Sequence, residues 1–207
     1  MPANRIPLFP LNVVLLPGAS LPLHIFEPRY RRMVARCLED HSEFGVVLSL
    51  PKGIVHTGCT AAITQVMKRY DDGRMDILAE GRAPFRVTEL FTDDPLTEAA
   101  VEYLEDDAGA AEDAIQTELL ELYDACHFLV FGNAPDSADA KSLPSVAYHV
   151  AGALPVDLLW KQNMLDMRSE PARQKRLVGW LREWAAELEK AGQLRKRAGG
   201  NGHSNVN

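Results

Sequence analysis

His24, Glu27 and Arg29 have the residue types and the spacing that acid–base chemistry would need. A histidine and a carboxylate three residues apart can act as a proton-transfer pair against a bound molecule. The alternative is a structural role, in which backbone groups or Glu27 satisfy His24 where a strand gives way to a helix. The sequence favours the structural role, because no nucleophile with an orienting partner accompanies the pair.

The cysteines are spaced too widely for a metal site or a disulfide framework. His56 and Cys59 form an H-x-x-C pair, but no second Cys/His pair completes four tetrahedral ligands. Such isolated thiols are typical of a reducing compartment. We expect Cys59 inside a strand as a small apolar residue, and Cys37 on a buried helix face where its thiol pKa is raised. Cys126 and His127 are adjacent on a predicted helix, so they cannot form a nucleophile–base dyad together.

Sequence motifs for cofactor binding and catalysis are missing. The chain has no phosphate-binding G-x-x-x-x-G-K-[ST] loop, no G-x-G-x-x-G and no G-x-S-x-G nucleophile elbow. It also has no H-E-x-x-H zinc motif and no acidic calcium loop. We therefore expect no cofactor, no metal and no catalytic residues.

The net charge of −7 is unevenly distributed along the chain. The segment 87–140 contains fifteen Asp or Glu residues and neither Lys nor Arg. We interpret this segment as a solvated acidic face, with the attraction of a basic partner as the alternative. Nucleic acid is a disfavoured partner, because phosphate affinity needs clustered cations and the local basic cluster is confined to residues 195–197.

Nothing in the sequence indicates a membrane partner or export. The apolar runs are only a few residues long, far below the ~20 residues that cross a bilayer. The first residues, MPANRIPLFPLN, lack a small-residue cleavage site. We expect a cytoplasmic location.

Strand patterns dominate the first half of the chain. Pro7 and Pro10 interrupt the first apolar runs, which predicts edge or irregular strands over Ile6–Leu11 and Val13–Leu16. Pro28 fits the first position of a helix whose apolar stripe runs from Tyr30 to Leu38. The Asp-Asp-Gly-Arg sequence at 71–74 predicts a tight hairpin between two strands.

Helical patterns replace the strand patterns after residue 105. Four helices are predicted, and the first has an apolar face of Ile115, Leu119, Leu122, Cys126 and Leu129. The last helix has a stripe that we interpret as a core seam. Its members are Leu177, Trp180, Leu181, Trp184, Leu188 and Ala191.

This order of elements predicts an α+β fold with two domains and a tail. A barrel-like mixed sheet with one helix is expected over residues 1–105, because the strands are short and the βαβ repeat is missing. A helical bundle is expected over 106–196. Residues 197–207, which contain almost no apolar side chains, are expected to be a disordered tail.

Several segments of the chain resemble, in order and spacing, the N-terminal substrate-binding domain of the Lon protease family. The similarity extends over roughly residues 5–190. It is carried by IPLFPLNVVLLPG (6–18), LPLHIFEPRY (21–30), FGVVL (44–48), GCTAAI (58–63), DGRMDILAEGR (72–82), FRV (85–87) and LPVD (154–157).

The resemblance implies a β pseudobarrel of the PUA-like type followed by helices. Lon enzymes contain an ATPase module and a peptidase module after this domain, and the resemblance covers neither, so it implies a stand-alone homologue. The residues that match the family motif are interpreted as mainly structural, with a binding role as the alternative. They are Pro17, Gly18, His24, Phe26, Glu27, Arg29 and Tyr30.

Three hypotheses for function follow. The first is a non-catalytic module that binds unfolded or extended polypeptides, as the family resemblance implies. The second is an adaptor or scaffold that acts with an ATP-dependent protease or a chaperone through the acidic segment 87–140. The third is a small-molecule enzyme that uses His24, Glu27 and Arg29. A homo-oligomer is compatible with each of them.

Overall fold

The computed structural model describes residues 4–92, 95–109, 111–133, 135 and 140–200. Strands and a single helix come first: β1 (Asn4–Leu11), β2 (Ser20–Ile25), α1 (Pro28–Asp40), β3 (Phe44–Leu50), β4 (Gly53–Arg69), β5 (Met75–Phe91) and β6 (Glu98–Tyr103). Helices follow: α2 (Asp113–Phe131), a 3-10 turn (Ala140–Ser142), α3 (Val146–Ala153), α4 (Leu158–Asp166) and α5 (Glu170–Gly200). The predicted α+β class is confirmed.

Helix α1 begins at Pro28, as predicted. A proline is tolerated there because the first N–H groups of a helix have no intrahelical partner. The apolar stripe is buried, and its buried members are Tyr30, Met33, Val34 and Cys37. The helix ends at His41, which has a left-handed φ of 51° and donates its amide to the Cys37 carbonyl. Arg32 and Arg36 lie on the exposed side.

The strands form one mixed sheet that closes on itself. Its order is β2-β5-β4-β3-β1-β6, and β6 also pairs with β5. Five strands, β5, β4, β3, β1 and β6, therefore make a closed ring, which leaves few strand edges open. β2 lies outside the ring and pairs antiparallel with the first part of β5.

β1 is not the edge strand that its prolines predict. Residues Asn4–Pro7 pair antiparallel with β6, whereas Leu8–Leu11 pair parallel with β3. Each half of β1 thus forms its ladder with one neighbouring strand, which leaves its other side without a ladder partner. A proline is tolerated where its missing N–H would face that unpaired side. The predicted run Val13–Leu16 contains no strand, although Leu15 and Leu16 are buried.

The centre of the ring is filled by apolar side chains from four strands. Phe85 has no exposed surface and lies in the middle of this cluster. The other buried members are Ile6, Leu8, Val47, Val87, Ala99 and Val101. Burial of this apolar surface is the main driving force that holds the ring closed.

The chain divides into two compact units that differ from the predicted domains. The first unit contains residues up to 107 together with 148–168, and the second contains 108–147 and the residues from 169 onward. Residues 148–168 join the first unit through polar contacts with β4 and with the segment after β6. Gln162 Nε2 donates to the Thr57 carbonyl at 3.1 Å, and the Asp107 amide donates to the Arg168 carbonyl at 2.6 Å. The division at residue 105, with a helical bundle over 106–196, stays a prediction.

The second unit is organised around one carboxylate, that of Glu170. Its Oε1 accepts from the Ala147 amide and from Gln174 Nε2, each at 2.9 Å. Its Oε2 accepts from the Ser145 hydroxyl at 2.6 Å and pairs with Arg173 Nη2 at 2.9 Å. Because the side chain of Arg173 is completely buried, this pairing helps to compensate the charge of its guanidinium group.

The predicted apolar faces of α2 and α5 are only partly buried. Leu119 and Cys126 of α2 are buried, but Leu129 is 47% exposed. On α5, Leu177 and Leu181 are buried. Trp180 and Trp184 are half-buried and stack with ring centroids 5.0 Å apart, while Ala191 is exposed. The core seam of α5 is therefore shorter than the sequence pattern predicts.

Helix α5 also extends into the predicted tail. Residues 197–200 are helical, whereas residues 201–207 of that tail lie outside the described part of the chain. Among the helices that the structure describes, none combines the length and the apolar character that spanning a membrane requires.

Candidate functional site

The end of β2 forms a hydrogen-bonded network with the β4–β5 hairpin. His24 and Asp76 are register partners in the β2–β5 ladder, so their side chains meet, with Nδ1 and Oδ1 2.5 Å apart. Tyr70, just after β4, donates its hydroxyl to Asp76 Oδ2 at 2.7 Å. Hydrogen bonds from His24 and Tyr70 hold the pKa of Asp76 below its ordinary value, and the bond to Asp76 raises the pKa of Tyr70.

The structure does not bring His24 and Glu27 together as a pair. Glu27 Oε2 instead lies 2.9 Å from Arg29 Nη2 and accepts from Arg29 Nε at 3.0 Å. The expectation that Glu27 or backbone groups satisfy His24 is corrected, because the ladder register places Asp76 opposite the histidine.

Three rings, those of Phe26, His24 and Tyr70, follow one another in contact on this surface, and we name them the aromatic row. Phe26 stacks on His24 with centroids 6.0 Å apart, and the edge of Tyr70 meets His24 at 5.8 Å. Phe26 is 59% exposed, so it does not pack α1 onto the sheet. β2 ends at Ile25, whose side chain is buried, and the side chain of Phe26 that follows lies outside the core.

A cleft of about 720 Å³ lies beside the aromatic row, between α1 and the hairpin. We name it the arginine cleft, because four of its lining residues are arginines. α1 contributes Pro28, Arg31, Arg32 and Ala35, and the hairpin contributes Arg69, Tyr70, Gly73, Arg74 and Met75. The described residues thus place cations from two separate segments around one concave surface.

The hairpin turn determines where two of these arginines lie. The Gly73 amide donates to the Tyr70 carbonyl at 2.9 Å, and Gly73 has the left-handed φ of 83° that closes such turns. Asp72 accepts hydrogen bonds from the Arg74 amide at 3.1 Å and from Arg74 Nε at 2.6 Å. These hydrogen bonds, above all the one from the backbone amide, lower the pKa of Asp72. A Cβ atom at Gly73 would collide with the guanidinium of Arg31.

The other motif residues lie outside the cleft lining. Pro17 and Gly18 occupy the centre of a turn in which the Ala19 amide donates to the Leu16 carbonyl at 3.0 Å, and Gly18 has a φ of 76°. Tyr30 is buried and stacks on Phe9 with centroids 4.0 Å apart. Burial raises the pKa of Tyr30. The interpretation of these three residues as mainly structural stays a prediction.

The three thiols are buried and unreactive in character. Cys59 lies within β4 with no exposed surface, as expected, and burial raises its pKa to about 12. Burial also raises the pKa values of Cys37 and Cys126. No group of three or more His, Cys, Asp or Glu side chains that could hold a metal occurs among the described residues.

The acidic segment 87–140 is partly neutralised by the chain itself. Glu98 pairs with Arg5 at 2.5 Å and lies 3.4 Å from Arg36, both within the first unit. In the second unit, Glu112 pairs with Lys175 at 2.9 Å and Glu118 pairs with Arg182. The last turn of α2 also exposes four consecutive apolar side chains, Phe128 to Phe131.

The family model of the ATP-dependent protease La (LON) substrate-binding domain matches residues 5–183 of this chain. The chain belongs to the Lon substrate-binding domain family. The resemblance seen in the sequence motifs is thereby confirmed.

Curated relatives of this Lon substrate-binding domain are much longer proteins. Lon protease of Parabacteroides distasonis is 32% identical over 112 residues, which is 50% of this chain and 14% of that protein. Lon protease 2 of Syntrophobacter fumaroxidans is 23% identical over 208 residues, which is 94% of this chain and 26% of that protein. The chain therefore spans well under half the length of the relatives it matches.

Solved structures support the same fold. The Lon N-terminal domain protein from Xanthomonas campestris superposes with a TM-score of 0.67 and 27% identity, covering 86% of this chain and 98% of that one. The N-terminal domain of the Mycobacterium avium complex Lon protease gives a TM-score of 0.63 at 18% identity with the same coverage. At that identity the second likeness shows the fold alone.

The arginine cleft is the feature of this Lon substrate-binding domain that sequence analysis missed. Its arginines are divided between residues 31–32 and 69–74, so a search for one contiguous basic cluster does not find them. A signal was present, however. The Asp-Gly turn at 71–74 could be found in the sequence, but its place near the start of α1 follows from the pairing of β5 with β2, which only the structure shows.

Proposed function

We propose that this chain is a non-catalytic module that recognises unfolded or extended polypeptides, and that the aromatic row and the free edge of β2 form its binding face. Membership of the Lon substrate-binding domain family supports polypeptides as the ligand class. The missing catalytic motifs and the buried thiols agree with a role in binding.

The exposure of Phe26 is the observation that carries this proposal. An exposed phenylalanine loses the stabilisation that burial would give, about 1.5–3 kcal/mol for a fully buried side chain. Phe26 also stacks on His24, whose position is fixed by Asp76. A ring held in this way loses little side-chain freedom when an apolar side chain of a ligand covers it.

The edge of β2 offers a second, sequence-tolerant contact. Among the described strands, β2 pairs with β5 alone, so its other edge can hydrogen-bond an added strand. Main-chain pairing of this kind does not depend on the ligand's side chains, which suits a module that accepts many sequences. Pro22 lacks an N–H and limits uncontrolled pairing along this edge.

Binding of a permanently unfolded, fluorescently labelled model protein tests the proposal by anisotropy. We expect Phe26→Ala to weaken binding about tenfold, because one aromatic anchor is lost. Phe131→Ala is the matched control, since Phe131 is the same residue type with 57% exposure against 59% for Phe26. The proposed binding face would be contradicted if the wild-type protein did not bind the unfolded model protein, or if only Phe131→Ala lost affinity for it.

The adaptor hypothesis stays a prediction. The pairing of Glu98, Glu112 and Glu118 within the chain reduces the charge that the acidic segment can offer to a basic partner. A small-molecule enzyme at His24, Glu27 and Arg29 is less favoured, because Glu27 and Arg29 pair with each other while His24 pairs with Asp76.

A further inference from the structure

The arginine cleft holds positive charge that the protein itself leaves uncompensated. Arg74 is paired with Asp72 at 2.6 Å. Arg31 makes no ion pair with the described residues, although the nearby Asp72 carboxylate attracts it electrostatically. Arg32 and Arg69 make no ion pair with the described residues either, and Arg69 donates to the Met75 sulfur at 3.5 Å. Like charges brought together repel one another, so an arrangement of this kind is stabilised when an anion binds between them.

The start of α1 increases the same positive potential. The positive end of a helix dipole favours acidic side chains, but the first turn of α1 has none. It has Arg29 instead, followed by Arg31 and Arg32. Glu27 does not cap the helix through its side chain and is paired with Arg29. Such a local conflict between sequence and helix electrostatics is expected at functional sites.

The shape and surroundings of the cleft favour carboxylates on a polypeptide over nucleic acid. Guanidinium groups bind both carboxylates and phosphates through paired hydrogen bonds. Single-stranded nucleic acids additionally need open aromatic faces on which bases stack. Tyr70 is the aromatic residue of the cleft lining, and Lys68 and Arg74 already lie over its ring, 4.5 Å and 4.9 Å from the centroid. Phe26 beside the cleft is an open ring, so the choice of polypeptide rests on family membership, and an oligonucleotide is included in the test.

We propose that the arginine cleft binds the carboxylate side chains of an acidic segment within the bound polypeptide, so that the module prefers extended chains with Asp or Glu beside an apolar stretch. This inference rests on the proposed polypeptide-recognition function. Tyr70 belongs both to the aromatic row and to the cleft lining, so one extended ligand can occupy the two surfaces together. The apolar side chains would cover Phe26, and the acidic ones would pair with Arg31, Arg32 and Arg69.

Two labelled, unstructured peptides of equal length and equal apolar content test this preference by anisotropy. One contains four Asp or Glu residues beside its apolar stretch, and the other has Asn or Gln at those positions. We expect the wild-type protein to bind the acidic peptide about tenfold more tightly, with a difference that shrinks as salt is added. The double variant Arg32→Ala with Arg69→Ala should lose this difference and keep its affinity for the neutral peptide.

Arg86→Ala is the matched control, because Arg86 is an exposed arginine of β5 outside the cleft. Circular dichroism confirms that each variant is folded. Equal wild-type affinity for the two peptides would overturn the acidic preference and leave polypeptide recognition standing, whereas failure to bind either would overturn both. If Arg86→Ala lost the preference for the acidic peptide to the same extent, the assignment of that preference to the arginine cleft would be overturned. Tighter binding of a single-stranded oligonucleotide through Arg32 and Arg69 would overturn the choice of carboxylate.

Discussion

Arg173 in the second unit and Arg32 in the first unit are both helical arginines, yet their surroundings differ completely. Arg173 has no exposed surface and is held by Glu170, which also accepts hydrogen bonds from Ser145 and Ala147. Arg32 is exposed at the arginine cleft without an ion-pair partner among the described residues. The first arrangement contributes to folding, whereas the second leaves its charge available to a ligand.

The net charge of the whole chain therefore does not describe how charge is distributed within either unit. The chain has a net charge of −7, but acidic residues of the segment 87–140 are paired with basic residues from other segments. The cations of α1 and the hairpin remain concentrated at one cleft. The charge that matters for binding is the charge that internal pairs do not compensate.

Removing the carboxylate of Glu170 should have the largest effect on stability. Glu170→Ala removes one partner of the buried Arg173 and the acceptor of the Ser145 hydroxyl and the Ala147 amide, which should cost about 1.5–3 kcal/mol of unfolding free energy. Urea denaturation followed by tryptophan fluorescence measures the loss. Glu183→Ala, which removes an exposed carboxylate from the same helix, should change stability by less than about 0.5 kcal/mol. Similar small effects in both variants would show that the Glu170 pair is not structural.

Two glycine substitutions should act in opposite directions in the two units. Gly73→Ala forces a Cβ into a left-handed position and against Arg31, which should cost about 1–2 kcal/mol and weaken binding of the acidic peptide. Gly179→Ala in α5 meets open space and should stabilise the helix by about 0.5–1 kcal/mol. Thermal denaturation of both variants compares them, and a stabilised Gly73→Ala would argue against the strained turn.

Arg32 and Arg69 of the arginine cleft should contribute little to the free energy of unfolding. The double variant Arg32→Ala with Arg69→Ala should change the unfolding free energy by less than about 0.5 kcal/mol. Arg182→Ala, which breaks an exposed pair with Glu118, should lose about 0.2–1 kcal/mol. Chemical denaturation measures both. A clear destabilisation of the double variant would assign these arginines a structural role and weaken the contrast between the units.

The Asp76 network should give the smallest effect, visible mainly through pH. Because the folded-state pKa of Asp76 is lowered, its stabilising effect is present above the ordinary carboxyl pKa and disappears as pH falls through the lowered one. The stability difference between wild type and Asp76→Asn should therefore vanish on acidification. The same variant should return the pKa of Tyr70 towards its ordinary value in a spectroscopic titration. Asp71→Asn, in the exposed turn, is the control, and a difference that does not change with pH would contradict this explanation.

Local features of the fold could be predicted well from the sequence. Pro28 marks the start of α1, and the Asp72-Gly73 turn marks the hairpin, because both depend on backbone geometry that few residues satisfy. The position of β1 was not predictable in this way. Its two halves pair with different strands, and no local pattern encodes which distant strand supplies the partner.

The candidate site was predictable only in part. The sequence motif included His24 and Phe26, which the structure places together in the aromatic row. Asp76, the partner of His24, and the arginines of the cleft depend on strand register between segments about fifty residues apart. The sequence motif led us to interpret Phe26 as mainly structural, and its exposure is visible only in the folded chain.

Unit one is discontinuous along the chain, and this shapes how the protein must be made. The N-terminal half of β1 pairs with β6, so it has no partner until β6 has been synthesised. Helix α4, which also belongs to the first unit, is synthesised only after α2. A nascent chain that emerges from the ribosome with residues up to 107 complete still lacks Gln162, whose amide reaches the Thr57 carbonyl. The strands of the ring all lie before residue 104 and can pair early, whereas the first unit is complete only after residues 148–168, and with them the intervening helix α2, have been translated.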